Sequence, residues 1–141
     1  MREIRFRGKC IEDCELKGQW LYGHYLKSAS HFIAVDQGLV DGHFKLYQVD
    51  PETVGQSTGL KDKNGKEIYE GDIVEEYYTS LEISRYKVEW AQESAMWVFN
   101  DGIDRVFAED IDFGLTEVKG NKWDHPHLLK GETSPSGASY T

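Results

Sequence analysis

Two cysteines and two histidine pairs are the residues in this chain whose types and spacing could do chemistry. Cys10 and Cys14 have a Cys-x3-Cys spacing that could offer two thiolates to zinc, with His24 or His31 completing the set. A structural zinc needs four converging ligands, and no second paired motif closes the site, so the pair reads as two unbridged loop thiols. His125 and His127 flank Pro126, with Asp124 alongside. Proline fixes an extended backbone that would send the two rings to opposite sides, and a single histidine pair supplies too few ligands for a metal. Asp101, Asp104, Glu109, Asp110 and Asp112 form the densest acidic run, where paired acids could act as general acid and base or bind a hard cation. It lacks a calcium-loop pattern, a nucleophile motif and a Gly-rich phosphate cradle, and reads as a solvated face. Trp20, Trp90, Trp97 and Trp123 could form ligand platforms. In a small β-fold they are better spent on the core, Trp90 above all. This leaves no catalytic constellation, no cofactor and no metal site.

The elements that would position these residues are strands. Ile4 and Phe6 alternate with Glu3, Arg5 and Arg7. Trp20, Tyr22, His24 and Leu26 share one face of a second strand, opposite Leu21 and Tyr25, with a bulge expected at Gly23. His31 to Val35 and Phe44 to Val49 follow as short strands. Asp72–Tyr78 and Ile83–Trp90 form a hairpin, in which Tyr86, Val88 and Trp90 face in. Residues 95–99 and 113–120 add strands, while 104–113 fits either a short helix or a strand and a turn. The frequent turns and many aromatic and β-branched residues favour an all-β fold.

Composition narrows the partners. The chain has 141 residues and a net charge of −9, which disfavours a phosphate backbone and repels anionic membranes. No apolar run is long enough to cross a membrane and no export signal is visible, so a reducing cytoplasm is expected.

The middle of the chain is organised around residues 58–74, TGLKDKNGKEIYEGDIV. Asn64-Gly65 suits a tight turn whose central residues take positive φ, and Glu70-Gly71-Asp72 a second turn that launches Ile73-Val74. Gly59, Asn64, Gly65, Gly71 and Asp72 are the expected structural turn positions. The run from Val54 to Val74, with residues 2–9 (REIRFRGK), 18–23 (GQWLYG) and 120–129 (GNKWDHPHLL), resembles the YopX family, small proteins found mostly in phages and prophages. Ser57 stands where that family carries an aromatic residue, and His125 and His127 where Asn and Glu are usual. The resemblance implies an all-β, barrel-containing fold and no established activity.

Together these readings give two small β subdomains, residues 1–50 and 51–130, the second an SH3-like barrel by analogy, and a disordered tail at 131–141. The expected role is that of a non-enzymatic phage or prophage accessory protein of the bacterial cytoplasm. It binds a host or phage protein and itself, through a candidate interface at Trp20, Tyr22, Phe32 and Ile33. The alternative is an acidic decoy that mimics nucleic acid to occupy a host DNA-binding enzyme.

Overall fold

The computed structural model describes residues 4–36 and 43–129; the tail expected to be disordered lies outside the described residues. The described chain is all-β, with two antiparallel sheets and no α-helix. It divides into two compact units, Met1–Gly59 and Leu60–Thr141. The division falls inside a strand, just after Gly59 with its φ of +81°. The sequence division at residue 50 falls earlier, at the 3-10 turn Pro51–Thr53 that Asp50 caps. No helix among the described residues is long and apolar enough to cross a membrane.

The first unit is built from β1 (Phe6–Lys9), β2 (Trp20–Lys27), β3 (His31–Asp36), β4 (Phe44–Gln48) and the start of β5 (Gly55–Lys61), in the sheet order β4-β3-β2-β1-β5. No bulge forms at Gly23. Instead β2 changes partner there: Trp20 to Gly23 pair with β1, and His24 to Lys27 pair with β3. A Cβ on Gly23 would lie closer than 3.0 Å to the Ala34 carbonyl oxygen, so only glycine admits the close approach. Strand alternation then sorts the side chains. Cys10, Leu21, Ile33 and Val49 pack as a buried core, joined by Phe6, Leu16, Tyr25, Val35, Tyr47 and Val54. An isolated antiparallel bridge between Cys10 and Val49 draws the end of β4 towards the end of β1 over this core. Thr53 seals the same end, its hydroxyl accepting from Lys9 N–H at 2.9 Å and donating to Asp50 C=O at 2.6 Å.

Strand β5 has no apolar alternation and its sequence announces no strand. Ser57 and Thr58 are buried in it, and polar burial of this kind leaves no hydrophobic period to read.

In the second unit β6 (Glu67–Tyr69) follows β5 across a hairpin. The five-stranded sheet has the order β10-β9-β8-β7-β11, with β7 Asp72–Tyr77, β8 Ile83–Ala91, β9 Met96–Asn100, β10 Arg105–Phe107 and β11 Thr116–Asn121. The ambiguous stretch 104–113 resolves into β10 followed by 3-10 turns at Ala108–Asp110 and Phe113–Leu115. Ile68, Val74, Tyr86, Val88, Phe99 and Ile111 form the core, with Leu60, Trp97, Val106, Ala108, Phe113 and Val118 packed against it. The core position expected of Trp90 is filled by its cross-strand neighbour. Trp90 faces inward but sits near the open end of β8, 41% exposed, and meets Trp97 edge-on with ring centroids 5.0 Å apart.

Candidate functional site

The organising stretch and the closing motif meet in the second unit. In the hairpin turn, Gly65 N–H donates to Asp62 C=O at 2.9 Å and Asp62 N–H to Lys66 C=O at 2.9 Å. Gly65 has a φ of +79°, but Asn64 does not take the positive φ expected of it. The turn is therefore of the common type I kind followed by one left-handed residue, and only that last position needs glycine. The buried Asp62 carboxylate holds the turn from inside: it accepts from Asn64 N–H and Lys66 N–H, and across the sheet from Val118 N–H, each at 2.9 Å. That last bond falls where β11 slips register against β7, between Val118 and Gly120. Burial pushes the Asp62 carboxyl up, but these N–H donors and the nearby Lys66 outweigh it and hold it below the ordinary carboxylate value.

At the second turn Gly71 has a φ of +89° and the Trp123 ring lies on it, so that a Cβ there would come closer than 3.0 Å to the ring edge. Gly71 N–H donates to Val88 C=O and its carbonyl accepts from Lys122 N–H, both at 2.9 Å. Asp72 is buried and accepts from Tyr69 N–H at 2.8 Å. The closing segment is then pinned twice more. The His125 ring takes the space a Cβ would need on Gly120, its Nδ1 accepting from Asn121 N–H at 3.2 Å. Arg85 grips the buried Glu75 with Nε at 2.8 Å and Nη2 at 2.6 Å, and donates from Nη1 to Leu128 C=O at 3.1 Å.

These carboxylates serve as struts. Glu76, inward-facing and fully buried, accepts from the Tyr78 hydroxyl at 2.6 Å, the Tyr86 hydroxyl at 3.2 Å and Asp112 N–H at 2.9 Å. Burial, with Tyr78 and the Glu76 charge beside it, drives the Tyr86 hydroxyl well above its ordinary range. Burial and the Glu75 and Glu117 carboxylates do the same for Tyr77. The sequence reading missed the Glu75-Glu76-Tyr77-Tyr78 run. Its only signal was two acids in a strand that otherwise reads as core. In the acidic run singled out from the sequence, Asp101 accepts from Ile103 and Asp104 N–H and Asp112 from Gly114 N–H, so both cap turns.

The two thiols are neighbours, but among the described residues no three cysteine, histidine or acidic side chains gather as a metal-ligand set. Cys10 is in the core of the first unit while Cys14 is exposed. Burial pushes the Cys10 thiol up, and the neighbouring Cys14 adds to the shift. His31 points inward and hydrogen-bonds the Tyr25 hydroxyl through Nδ1, whereas His24 lies on the opposite face against Phe44, centroids 5.4 Å apart. His125 and His127 are not sent apart: Pro126 opens a 3-10 turn rather than an extended segment, and the two rings sit 6.0 Å apart.

The remaining candidate is a surface. The outer face of the first sheet carries Trp20, Tyr22, His24 and Leu26 from β2, Phe32 and Ala34 from β3, and Phe44 and Leu46 from β4. Register pairs His24 with Ala34 with Leu46, and Leu26 with Phe32. Tyr22, Leu26, Phe44 and Leu46 are 40–48% exposed. Trp20 is half-buried beneath the Arg7 guanidinium, 4.7 Å from the ring centroid, with Lys9 at 5.7 Å. Of the interface expected from sequence, Trp20, Tyr22 and Phe32 lie on this face. Ile33 does not; alternation turns it inward, where it is fully buried. Phe44 and Leu46 belong to the face in its place.

A two-unit all-β protein stapled by buried carboxylates, with one apolar sheet face outward, is the class this geometry defines. Residues 6–130 match the family model described as YopX protein, and the chain belongs to that family. A crystal structure of protein EF1440 from Enterococcus faecalis is similar in fold, with a TM-score of 0.53 at 22% identity, covering 92% of this chain and all of that one. No curated protein matches the sequence.

Proposed function

We propose that this is a non-enzymatic phage or prophage accessory protein of the bacterial cytoplasm, which works by binding proteins, copies of itself included. The observation that carries the reading is the outer face of the first sheet, where Tyr22, Leu26, Phe44 and Leu46 are exposed around His24, Phe32 and Ala34. Contiguous apolar surface on a soluble protein marks a docking site more often than a solvated one. Asp62, Glu75 and Glu76 are each committed to hydrogen bonds that hold the fold. We also read the second unit as SH3-like. A four-strand meander and a last strand returning beside the first, here after two 3-10 turns, follow the strand order expected of that barrel.

The test is affinity capture from host cells with the wild-type chain and a Leu46→Glu variant as baits. Partners held by the first and lost by the second support the reading. Partners retained equally by both would refute it.

One observation favours the decoy as a second reading. The charge is uneven, with seven Lys and Arg against eight Asp and Glu in residues 1–59, but nine against seventeen in residues 60–141. A host DNA-binding enzyme captured equally by both baits and released by high salt would select it.

A further inference from the structure

We infer that the outer face of the first sheet is covered by the same face of a second copy, the two sheets stacked about a twofold axis. This deepens the proposed function, since it rests on the same face and names the occupant.

The first argument is charge. Residues 1–59 carry a net charge of −1 and residues 60–141 carry −8. Two copies meeting through their first units bring together nearly neutral surfaces, whereas any contact through the second units opposes large like charges. The face itself has no charged side chain among Tyr22, His24, Leu26, Phe32, Ala34, Phe44 and Leu46. Charge lies at its ends: Arg7 and Lys9 beside Tyr22 and Trp20 on the β1 side, and Asp36 opposite Phe44 towards the β4 side. A twofold axis along the strands lays β1 of one copy over β4 of the other. The basic end of each face then lies over the acidic end of its partner.

The second argument is area. Taking each exposed side chain as roughly 200 Å², the 40–48% exposure of Tyr22, Leu26, Phe44 and Leu46 leaves about 350 Å² per copy. Two copies bury about 700 Å² from these four alone, and Trp20, His24 and Phe32 bring the total towards the roughly 1,200 Å² floor of specific interfaces. The dimer is expected to be weak, with a micromolar Kd.

The third argument removes the commonest competitor, strand addition at the β4 edge. Gln48 N–H already donates to the Glu12 carboxylate at 2.9 Å, and Gln48 C=O accepts from Ile11 N–H at 3.0 Å. The 10–12 segment therefore blocks that edge at its end, leaving the face.

Sedimentation equilibrium of the purified chain from about 1 to 100 μM tests this. The expected result is a reversible shift from 16.2 kDa towards twice that mass. Leu46→Glu, and Leu26→Glu as a second variant should the first fail to fold by circular dichroism, should weaken the dimer at least tenfold. Leu81→Glu should leave it intact. Leu81 is 92% exposed at the β7–β8 turn, beside Tyr78 and Ile83, and is the rival apolar contact. A monomer throughout, a dimer lost in the Leu81 variant but not in the folded face variants, or one dissolved by half-molar salt would each overturn the inference. A monomer that still captures a partner through Leu46 would leave the binding of other proteins standing while self-association and this inference fall.

Discussion

Gly71→Ala separates two costs that usually arrive together. Gly71 has a φ of +89° and the Trp123 ring occupies the place of its missing Cβ, whereas Gly65 has a φ of +79° and would place a Cβ in open space. Gly65→Ala therefore measures backbone strain alone, about 1–2 kcal/mol. Gly71→Ala carries that strain plus a clash with Trp123, and displacing a packed ring costs a further 1–3 kcal/mol or so, for a total of about 2–5 kcal/mol. The clash term can be isolated by a double-mutant cycle with Trp123→Ala. Removing the ring costs stability by itself, but it should make the Gly71 substitution cheaper by about 1–3 kcal/mol, leaving the strain term. The assay is urea unfolding followed by tryptophan fluorescence, for which the second unit holds three of the four tryptophans and the first only Trp20. Circular dichroism on the same samples checks that the transition is single. Additive effects of the two substitutions, or equal costs at Gly65 and Gly71, would show that Trp123 does not bear on Gly71. The docking of the closing motif on the turn would then be wrong.

Two further outcomes follow from buried groups. Asp62 has its carboxyl held below the ordinary value of 3.8, so its stabilisation is complete at neutral pH and drains away as pH falls below that value towards the folded pKa. Asp62→Asn should cost about 1.5–3 kcal/mol at pH 7 and flatten the acid limb of stability against pH, measured by urea midpoints; an unchanged limb would refute the role. Cys14 should react with a thiol reagent at once and Cys10 only through opening of the first unit, slower by on the order of 10³ or more, so a single fast phase of two thiols would place Cys10 outside the core.

What was legible in the sequence were features that a single strand or turn determines. The alternation of Tyr86 and Val88 gave the inner face of β8, and the split of Leu21 and Tyr25 from Tyr22 and Leu26 gave a first sheet with apolar groups on both sides. What escaped depended on partners distant in the chain. Trp90 and Trp97 face each other across β8 and β9, and which of them lies deeper depends on how far the strand runs past its neighbour, which no local pattern encodes. Ile33 joins Phe32 in the expected interface because the strand bears apolar residues on both faces, and no local pattern says that the chain itself covers the face of Ile33. Asp62, Glu75 and Glu76 look like solvated charges in a sequence because their partners, Val118, Arg85 and Asp112, lie on other segments.

The same distinction explains how the family motifs hold the fold together. Gly71 and Trp123 stand far apart in sequence, in the two stretches most characteristic of the resemblance, and they meet as ring on backbone. Asp62 joins the first of those stretches to β11, and Arg85 fastens the end of the second to β8. Each contact has the form of a clasp: a carboxylate on backbone N–H, an aromatic ring on glycine, a guanidinium on a carbonyl. Substitutions in these motifs should therefore be read first as changes of stability. The face proposed to meet partners draws on these stretches only at Trp20 and Tyr22. Leu26, Phe44 and Leu46 fall outside the stretches that carry the resemblance, on a sheet face that asks only for apolar side chains of the right size. In this chain most residues that announce the family maintain the structure, and apart from Trp20 and Tyr22 the residues proposed to act with partners have no motif by which a sequence could reveal them.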